Sequence, residues 1–527
     1  MLRELNVVKK RGRASDLHVA LAYPSTYVAG MSSLITHLLY FLLNGFREVI
    51  AERIFYSYPE EAKILELRSL EWKRKLRDFD IVMFSVHYEL DYANIVEMLF
   101  KSKIPVFSRE REEKDPIIIV GGPTVTANPE PLAEIADIIV IGEAEGLVEE
   151  IVEKYFSTRN RKEFLDEIAS IRGIYVPSLG KYRVTKNYVK NLDEAFYPIK
   201  QIQPLDYEFA YGKGLLVETT RGCKWHCQFC MEGFISKPKR DRSYSRIVEI
   251  VEKGLEINGL NRVIFYALSF FDHVDADRIL EYLIERSIEA SIPSLRPNTL
   301  TEYRLDFIPK LGQKILTIAP ETLCPAIGFA IKKFTKEDQI KEVVRKAYEK
   351  GITSVKIYFI VGFPHQGLEE ALKIIEFVKK LKSEAKGIQL KLSLNPLIPK
   401  PHTPLQWLSI ADAKLTSKKL KLIASELRKL SIETSFYSPR WALVQASIAL
   451  GDRNIGKAIV EWSLSSRTPT SWIKVVRKLG ISLNYALKGR GLEESLPWDH
   501  INLNVSRKFL EKSYEFFIRN VSGKCEV

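Results

Sequence analysis

The sequence predicts an α/β protein in three parts: a doubly wound, flavodoxin-like domain, a partial (β/α)6 barrel, and a mainly helical C-terminal region. Three observations predict this class. Short apolar runs alternate with helical patterns over residues 1–156, six further runs do the same over 211–404, and the alternation stops at 405–527. Residues 157–210 are predicted to be a linker with a small hairpin.

The first domain contains five apolar runs of strand length, which are LHVALAYP, RIFYSYP, DIVMFSVHY, PIIIVGGP and DIIVIGE. Helical patterns lie between them at 31–44, 60–77, 90–101 and 131–136. Ligands of doubly wound sheets bind beyond the carboxyl ends of the strands. The loops that follow these runs are "YPSTYVAGMS", "FSVHYELDY", "VGGPTVTANPEP" and "IGEAEG", and we expect a ligand there.

In the linker, "GIYVPSLGKYRV" predicts a hairpin that turns at Leu179 and Gly180. The second block then repeats six strand-like runs, LLVETT, RVIFYAL, ASIPSLRP, KILTIAPE, SVKIYFIVGFP and LKLSLNPLIP. Six units are too few for a closed eight-unit barrel. An open barrel of six parallel strands is therefore predicted, followed by amphipathic helices such as 415–430 and 505–519.

Composition is that of an ordinary folded protein, with 46% hydrophobic residues and a net charge of +13. The N-terminus has no secretory signal, and the longest apolar stretch, 34–43, is far shorter than the ~20 residues of a membrane helix. A cytoplasmic location is expected. Five cysteines in 527 residues do not make a disulfide framework, so thiolates are available for a metal.

Three cysteines, Cys223, Cys227 and Cys230, lie in "RGCKWHCQFC" with the spacing C-x3-C-x2-C. Structural zinc requires four protein ligands, and here only His226 is available as the fourth. A thioredoxin-type redox pair requires two thiols. A 4Fe–4S cube is normally held by four thiolates, so three leave one iron open, as a catalytic metal site does for its substrate.

This loop resembles that of the radical S-adenosylmethionine (radical SAM) superfamily. The resemblance implies a 4Fe–4S cluster whose fourth iron chelates S-adenosylmethionine, and cleavage of that cofactor to a 5′-deoxyadenosyl radical. It also implies that Phe229, before the last cysteine, packs beside the adenine. Further cofactor contacts are implied from strand ends: Ser269, Arg296 for the carboxylate, Glu321 for the ammonium or ribose, and 361–364. The usual Gly-Gly-Glu segment is replaced by "YALSFFDH".

The first domain resembles the cobalamin-binding domain that precedes the barrel in a large subgroup of the superfamily. Three positions match its motifs: Ser25-x-Tyr27-x-x-Gly30 in the first loop, Ser85-x-His87 after the third strand, and Gly121-Gly122 after the fourth. The first motif usually supplies a histidine to cobalt, and Tyr27 stands in its place. We therefore expect one of two cases: cobalamin binds without a lower histidine ligand, with Tyr27 packed beneath the cobalt, or the domain has lost cobalamin.

The resemblance implies an enzyme that methylates, or joins, unactivated carbon and receives electrons from a ferredoxin or flavodoxin type of donor. A lipid substrate would be lined by apolar residues such as Phe270, Phe271 and Trp407. An RNA substrate is the second possibility, because Lys237, Lys239, Arg240 and Arg242 follow the cysteine loop. A cobalamin or redox sensor without turnover is the third.

Overall fold

The computed structural model describes residues 2–13, 15–57, 67–385 and 387–522. Its first domain is built on a six-stranded sheet. In spatial order the strands are Val49–Ser57, Leu17–Thr26, Ile81–Ser85, Ile117–Gly121, Ile138–Val140 and Ile174–Tyr175. The first five are parallel, and Ile174–Tyr175 is antiparallel to its neighbour. In chain order the parallel strands run 2-1-3-4-5, which is the flavodoxin-like order and confirms the predicted class.

Among its described residues, the first domain has six helices: Tyr27–Met31, Leu34–Gly45, Tyr92–Lys101, Pro123–Ala127, Leu147–Ser157 and Arg161–Ile168. Two predicted helices are wrong. Within 60–77 the described part, 67–77, lies along the edge strand, because Leu70 N donates to Arg53 O (2.9 Å) and Glu71 binds the buried Arg53 side chain. Within 131–136 only the 3-10 turn Glu130–Leu132 forms, because prolines precede and interrupt it.

The segment 157–210 contains no hairpin at Leu179 and Gly180. Ile174–Tyr175 joins the six-stranded sheet, whereas Val184–Thr185 pairs in parallel with Ile501–Asn502 of the C-terminal region. The 3-10 turn Pro177–Leu179 separates the two strands. Near the N-terminus, Glu4–Leu5 pairs with Gln203–Pro204, so this segment ties three parts of the chain together.

The second domain is an open barrel of parallel strands, as predicted. Its six predicted strands are Leu215–Glu218, Arg262–Tyr266, Glu289–Ser291, Ile315–Glu321, Ser354–Val361 and Gln389–Pro396. A seventh, Glu433–Phe436, extends the sheet in parallel. The first three and last four form two sheets that the single bridge Leu295–Ile318 connects. The helices of this domain are Glu232–Ile235, Tyr244–Asn258, Ala276–Glu285, Glu302–Lys310, Pro325–Ala330, Glu337–Glu349 and Glu369–Glu384.

The C-terminal region is mainly helical, as predicted, with Ala413–Arg428, Pro439–Ala449, Asn454–Ser463, Pro469–Lys478, Asn484–Leu487 and Arg507–Val521. It packs on both domains. Trp462 and Trp472 are buried in one core with strands of the first domain, whereas Phe517 is buried against Ile327 and Ile331 of the barrel. Within the described ranges, no helix combines the length and apolarity needed to cross a bilayer. The region therefore fixes the two domains relative to each other.

Candidate active site

The three clustered cysteines lie on a loop that the first barrel strand, Leu215–Glu218, delivers to the barrel mouth. Thr220–Arg221 pairs antiparallel with Arg240–Asp241 and closes the neck of this loop. Gly222 follows with φ +79°, and a Cβ there would lie 2.7 Å from the carbonyl oxygens of Ser236 and Pro238. The neck therefore requires glycine immediately before Cys223.

Cys223, Cys227 and Cys230 are free thiols, whereas Cys324 is disulfide-bonded. Burial raises the pKa of Cys223 and raises the pKa of Cys230 to about 12. A cation that binds them must therefore displace protons. The Arg296 side chain approaches the same group, since its Nη1 donates to Cys227 Sγ at 3.1 Å. The loop thus combines three potential thiolates with a guanidinium that favours their negative charge.

The donor set fits an iron–sulfur cluster. Among the described residues, no three His, Cys, Asp or Glu side chains are arranged around a single metal ion. In a cube each thiolate binds a different iron, so the ligands stand further apart than ligands of one ion. His226, the alternative fourth ligand, lies edge-on against Phe234 (6.4 Å between ring centroids) and Phe509 (6.0 Å). Three thiolates from this loop would therefore leave one iron of such a cluster without a protein ligand.

Arg296 and Ser269, two of the predicted cofactor residues, lie beside this loop. The Arg296 guanidinium stacks on Trp225, 4.0 Å from the ring centroid. Trp225 Nε1 in turn donates to Asp272. Ser269 begins the turn that carries Asp272, and its carbonyl accepts from Asp272 N (3.2 Å). Trp225 and Asp272 were not predicted as site residues, although the tryptophan stands between two of the cysteines.

Glu321 and Phe229 meet through a residue that the sequence analysis missed. Lys333 Nζ lies 2.6 Å from Glu321 Oε1 and 5.9 Å from the centroid of the Phe229 ring. Glu321 ends the strand Ile315–Glu321 with φ +70°, a conformation uncommon for residues with a side chain. Glu321 therefore lies at the barrel mouth. The roles of Glu321 and Phe229 in cofactor binding stay predictions.

A network of ion pairs connects the cysteine loop to the first domain. Arg221 binds Glu143 (3.0 Å), Glu145 (2.5 Å) and Glu218 (2.8 Å), and Arg240 binds Glu143 (2.7 Å). Burial alone would raise the pKa of Glu143, but Arg240 and Arg221 lower it overall. Glu143 and Glu145 belong to the "IGEAEG" loop after the fifth strand. A ligand was expected at this loop from the sequence, whereas its arginine partners were not predicted.

A cavity of about 520 Å³ lies between the two domains. On one side it is lined by the strand ends of the first domain, including Ser85, Gly121 and Gly122, which are three of the predicted cobalamin residues. Ser85 Oγ lies 3.2 Å from Nε2 of His87, which also lines the cavity. On the other side are Arg221 and Gly222 at the neck of the cysteine loop, and Glu232 just beyond its end.

One wall of this cavity is an apolar slot between the sheet and two helices. Its residues are Leu38, Met83, Ile119, Val140 and Val148. Beside it, Gly122 has φ +131°, and a Cβ there would lie 2.1 Å from Val86 O. The close approach of two backbone segments therefore requires glycine at this position. The glycine also leaves its own backbone open to the cavity.

The first-loop motif lies elsewhere. Tyr27 is 1% exposed, and its hydroxyl donates to Glu4 Oε1 (2.7 Å), which also binds the buried Arg53. Gly30 packs on Phe55, since a Cβ would lie 2.4 Å from that ring. Neither Ser25, Tyr27 nor Gly30 is among the residues that line the cavity. This placement argues against Tyr27 as the residue beneath a cobalt.

The residues suggested for lipid or RNA substrates have structural roles, except Lys237, which lies over the rings of Phe234 and Phe509. Phe270, Phe271 and Trp407 are 0%, 4% and 1% exposed and belong to hydrophobic cores. In the basic segment, Lys239 pairs with Asp241, Arg240 with Glu143, and Arg242 is fully buried beside Glu218. These three cations are neutralised inside the protein, so the segment is not an open phosphate-binding surface.

Two family models match the chain: "Radical SAM proteins, N-terminal" over residues 36–177 and "Radical SAM superfamily" over residues 217–378. The uncharacterized protein MJ0966 of Methanocaldococcus jannaschii is 31% identical over 462 residues, which cover 88% of this chain and 94% of that protein. The uncharacterized methyltransferase PH0819 of Pyrococcus horikoshii is 28% identical over 273 residues, covering 50% of this chain and 58% of that protein.

Two solved structures share the fold. The radical S-adenosylmethionine methyltransferase TsrM from Kitasatospora setae, with cobalamin and a [4Fe-4S] cluster bound, has a TM-score of 0.56 at 16% identity, over 76% of each chain. The cobalamin-dependent S-adenosylmethionine radical enzyme OxsB with aqua-cobalamin bound has a TM-score of 0.50 at 14% identity, over 96% of this chain and 80% of that one.

The cysteine loop, the open barrel, the family models and the M. jannaschii relative agree. The chain therefore belongs to the radical SAM superfamily and is a radical SAM enzyme that uses a 4Fe–4S cluster and S-adenosylmethionine, with a cobalamin-binding-like first domain.

Proposed function

We propose that this protein is a cobalamin-dependent methyltransferase that acts on an unactivated carbon. The observation that carries the proposal is the shared cavity between the domains. Ser85 and Gly121 line it at the carboxyl edge of the first sheet, where ligands of this fold bind. Arg221, Gly222 and Glu232 line it next to the cysteine loop. A corrin at the first wall would face the cofactor at the second.

The apolar slot supports a corrinoid ligand. Cobalamin carries a flat, apolar dimethylbenzimidazole on a nucleotide tail, and a slot lined by aliphatic side chains favours such a group. The absence of side chains at Gly121 and Gly122 lets backbone approach the ligand closely. The residues present therefore fit the cofactor, although the chain has tyrosine where related domains place a histidine for cobalt.

Bound together, the reduced cluster and S-adenosylmethionine supply a 5′-deoxyadenosyl radical that abstracts hydrogen, and methylcobalamin supplies the methyl group. The chain itself holds and orients these groups. Cys223, Cys227 and Cys230 would hold three irons of the cluster. Arg296 would direct its guanidinium toward the cofactor carboxylate, and Glu321 would accept hydrogen bonds from the ammonium or ribose. Such an enzyme takes each electron from an external donor of the ferredoxin or flavodoxin type.

We propose an apolar substrate, such as a lipid, that enters the cavity from the barrel side. Leu268 lines the cavity and is 43% exposed, and Ile235 and Ala267 lie on the same wall. The neutralised basic segment gives no support to RNA. A lipid substrate does not require the aromatic residues that the sequence suggested, because the apolar contacts come from this wall instead.

The test is anaerobic reconstitution with iron, sulfide and hydroxocobalamin, followed by reduction with dithionite in the presence of methyl-labelled S-adenosylmethionine. We expect 5′-deoxyadenosine and a labelled methyl group on the corrinoid. The Cys227→Ala variant should produce no 5′-deoxyadenosine, and a His226→Ala variant should match the wild type. If the cluster forms but neither product appears, the protein is a sensor rather than an enzyme of this type. Analysis of lipids and RNA from a deletion strain then tests the substrate class.

A further inference from the structure

An exposed face made of lysines and phenylalanines lies on the outer side of the cysteine loop. We call it the lysine–phenylalanine face, and it consists of His226, Lys237, Phe329, Lys332, Phe509 and Phe516. Phe329 and Phe509 are 58% and 37% exposed. The Phe329 and Phe516 rings lie 5.3 Å apart between centroids. Clustered exposed aromatic rings of this kind mark surfaces that contact another molecule.

The cations of this face rest on aromatic rings. Lys237 Nζ lies 5.1 Å from the Phe234 centroid and 5.7 Å from that of Phe509. Lys332 Nζ lies 5.9 Å from the Phe509 centroid and 5.5 Å from that of Phe516. The two lysines repel each other, and both also oppose a positive charge on His226. An anionic surface would relieve this repulsion, so the face is complementary to an acidic partner.

The face contacts the cysteine loop directly. His226 lies between Cys223 and Cys227 in sequence and packs against Phe509 at 6.0 Å. Gln228 N donates to Ile331 O (3.1 Å), immediately before Lys332. The interdomain cavity meets the loop at a different place, the neck of the loop, where Arg221 and Gly222 lie. A partner on the lysine–phenylalanine face would therefore approach the cluster without entering the cavity.

The C-terminal helix Arg507–Val521 holds this face in place. Ser506 caps its first turn by accepting from Phe509 N, and Phe517 and Val521 are buried against the barrel. The side of the helix next to this buried one carries the partly exposed Phe509 and Phe516, with the exposed Lys512 between them. The aromatic rings are thus preformed for contact, which lowers the ordering cost of association.

We propose that the lysine–phenylalanine face is the docking site of an acidic one-electron carrier protein. The inference rests on the proposed function, which requires an external electron for every cofactor cleavage. In each encounter the carrier is oxidised by one electron and the cluster is reduced by one. Transfer slows steeply with distance, so the carrier must dock where the cluster loop reaches the surface, and this face is such a place.

The test compares a protein donor with a small reductant. The probe is flavodoxin hydroquinone, and cluster reduction is followed by stopped-flow absorbance. The variant Lys332→Glu/Lys512→Glu reverses one exposed charge of the face and that of the exposed Lys512 beside it. The control Lys418→Glu/Lys421→Glu makes the same change on the helix Ala413–Arg428. At low salt we expect about a tenfold or greater fall in the rate with flavodoxin for the first variant, because electrostatic steering is lost. The rate with dithionite should be unchanged.

Three results would overturn the proposal. The first variant could keep the wild-type rate with flavodoxin, the Lys418/Lys421 control could slow as much, or the first variant could be equally slow with both reductants. The last result would place the lysines in the cluster site rather than in a docking site. Since cluster reduction is measured directly, a wild type that accepts electrons but does not cleave S-adenosylmethionine would refute the proposed function and leave the docking site supported.

Discussion

Replacing Arg221 tests whether the ion-pair network holds the cysteine loop against the first domain. Arg221 binds carboxylates from both domains, and its side chain is only 14% exposed. The variant Arg221→Met keeps most of the side-chain volume and removes the charge. Glu143 then retains Arg240, and Glu218 retains Arg242. Glu145 loses a guanidinium that it binds at 2.5 and 3.2 Å.

The expected loss of stability follows from the number of carboxylates left unpaired. Removing one partner of a buried ion pair typically lowers the free energy of unfolding by 3–5 kcal/mol, because the other charge stays buried. Two of the three carboxylates keep a second arginine, so we expect a value near the lower end, about 3 kcal/mol. The double variant Arg221→Met/Glu145→Gln removes the unpaired charge and should recover at least half of this loss.

The measurement is urea-induced unfolding of the apo protein, followed by circular dichroism at several pH values. Glu143 has a lowered pKa in the folded protein. Its stabilising contribution is therefore complete above the unfolded carboxyl pKa, about 4.3, and disappears as the pH falls through the lowered value. The difference between wild type and Arg221→Met should accordingly shrink in acid. An Arg221→Met variant as stable as the wild type at neutral pH, or a double variant no more stable than the single one, would refute the reasoning.

Three further predictions concern the cofactors. Alanine at Cys223, Cys227 or Cys230 should abolish the cluster absorbance, whereas His226→Ala should retain about four irons per chain, and loss of iron in that variant would make His226 a ligand. Val148→Trp should fill the apolar slot and prevent corrinoid binding in equilibrium dialysis while leaving the iron content unchanged; persistent binding would place the corrinoid elsewhere. Arg296→Gln and Glu321→Gln should each weaken S-adenosylmethionine binding about tenfold in calorimetry, without loss of iron, and wild-type affinity in both would exclude them from the site.

The fold could be predicted where the hydrophobic pattern had one interpretation. Buried parallel strands are continuous apolar runs, so the five parallel strands of the first domain and six barrel strands were recognised. The polar edge strand Glu433–Phe436 was not. The predicted helix at 60–77 was wrong in its described part because Glu71 turns inward to the buried Arg53, which no periodicity reveals. Val184–Thr185 was assigned to a hairpin, yet it pairs with Ile501–Asn502, more than 300 residues away. Pairing over such a distance leaves no local pattern in the sequence.

The site could be predicted only where its residues lie close together in the sequence. The three cysteines lie within eight residues, so their joint role was evident. Two partners of Arg221, Glu143 and Glu145, come from the first domain, so the sequence does not place them beside it. Lys333 reaches Glu321 across a helix, and this pair could not be identified from sequence either. The lysine–phenylalanine face likewise joins the cysteine loop to a helix almost 300 residues later. Contacts between distant segments decide these features.

A substitution at Tyr27 tests whether this residue stabilises the fold or binds the cofactor. Its hydroxyl donates to Glu4 at 2.7 Å, and although burial raises the pKa of Glu4, Arg53 and Tyr27 together lower it. Tyr27→Phe removes one hydrogen bond to a buried carboxylate, so it should lower the free energy of unfolding by about 1.5–3 kcal/mol. Corrinoid affinity should not change, because the ring packs on Phe55 away from the cavity. Ser85→Leu, on the cavity wall, should give the opposite result: weaker corrinoid binding with little loss of stability. If Tyr27→Phe weakened corrinoid binding more than Ser85→Leu, the first loop would have to lie beneath the cobalt after all.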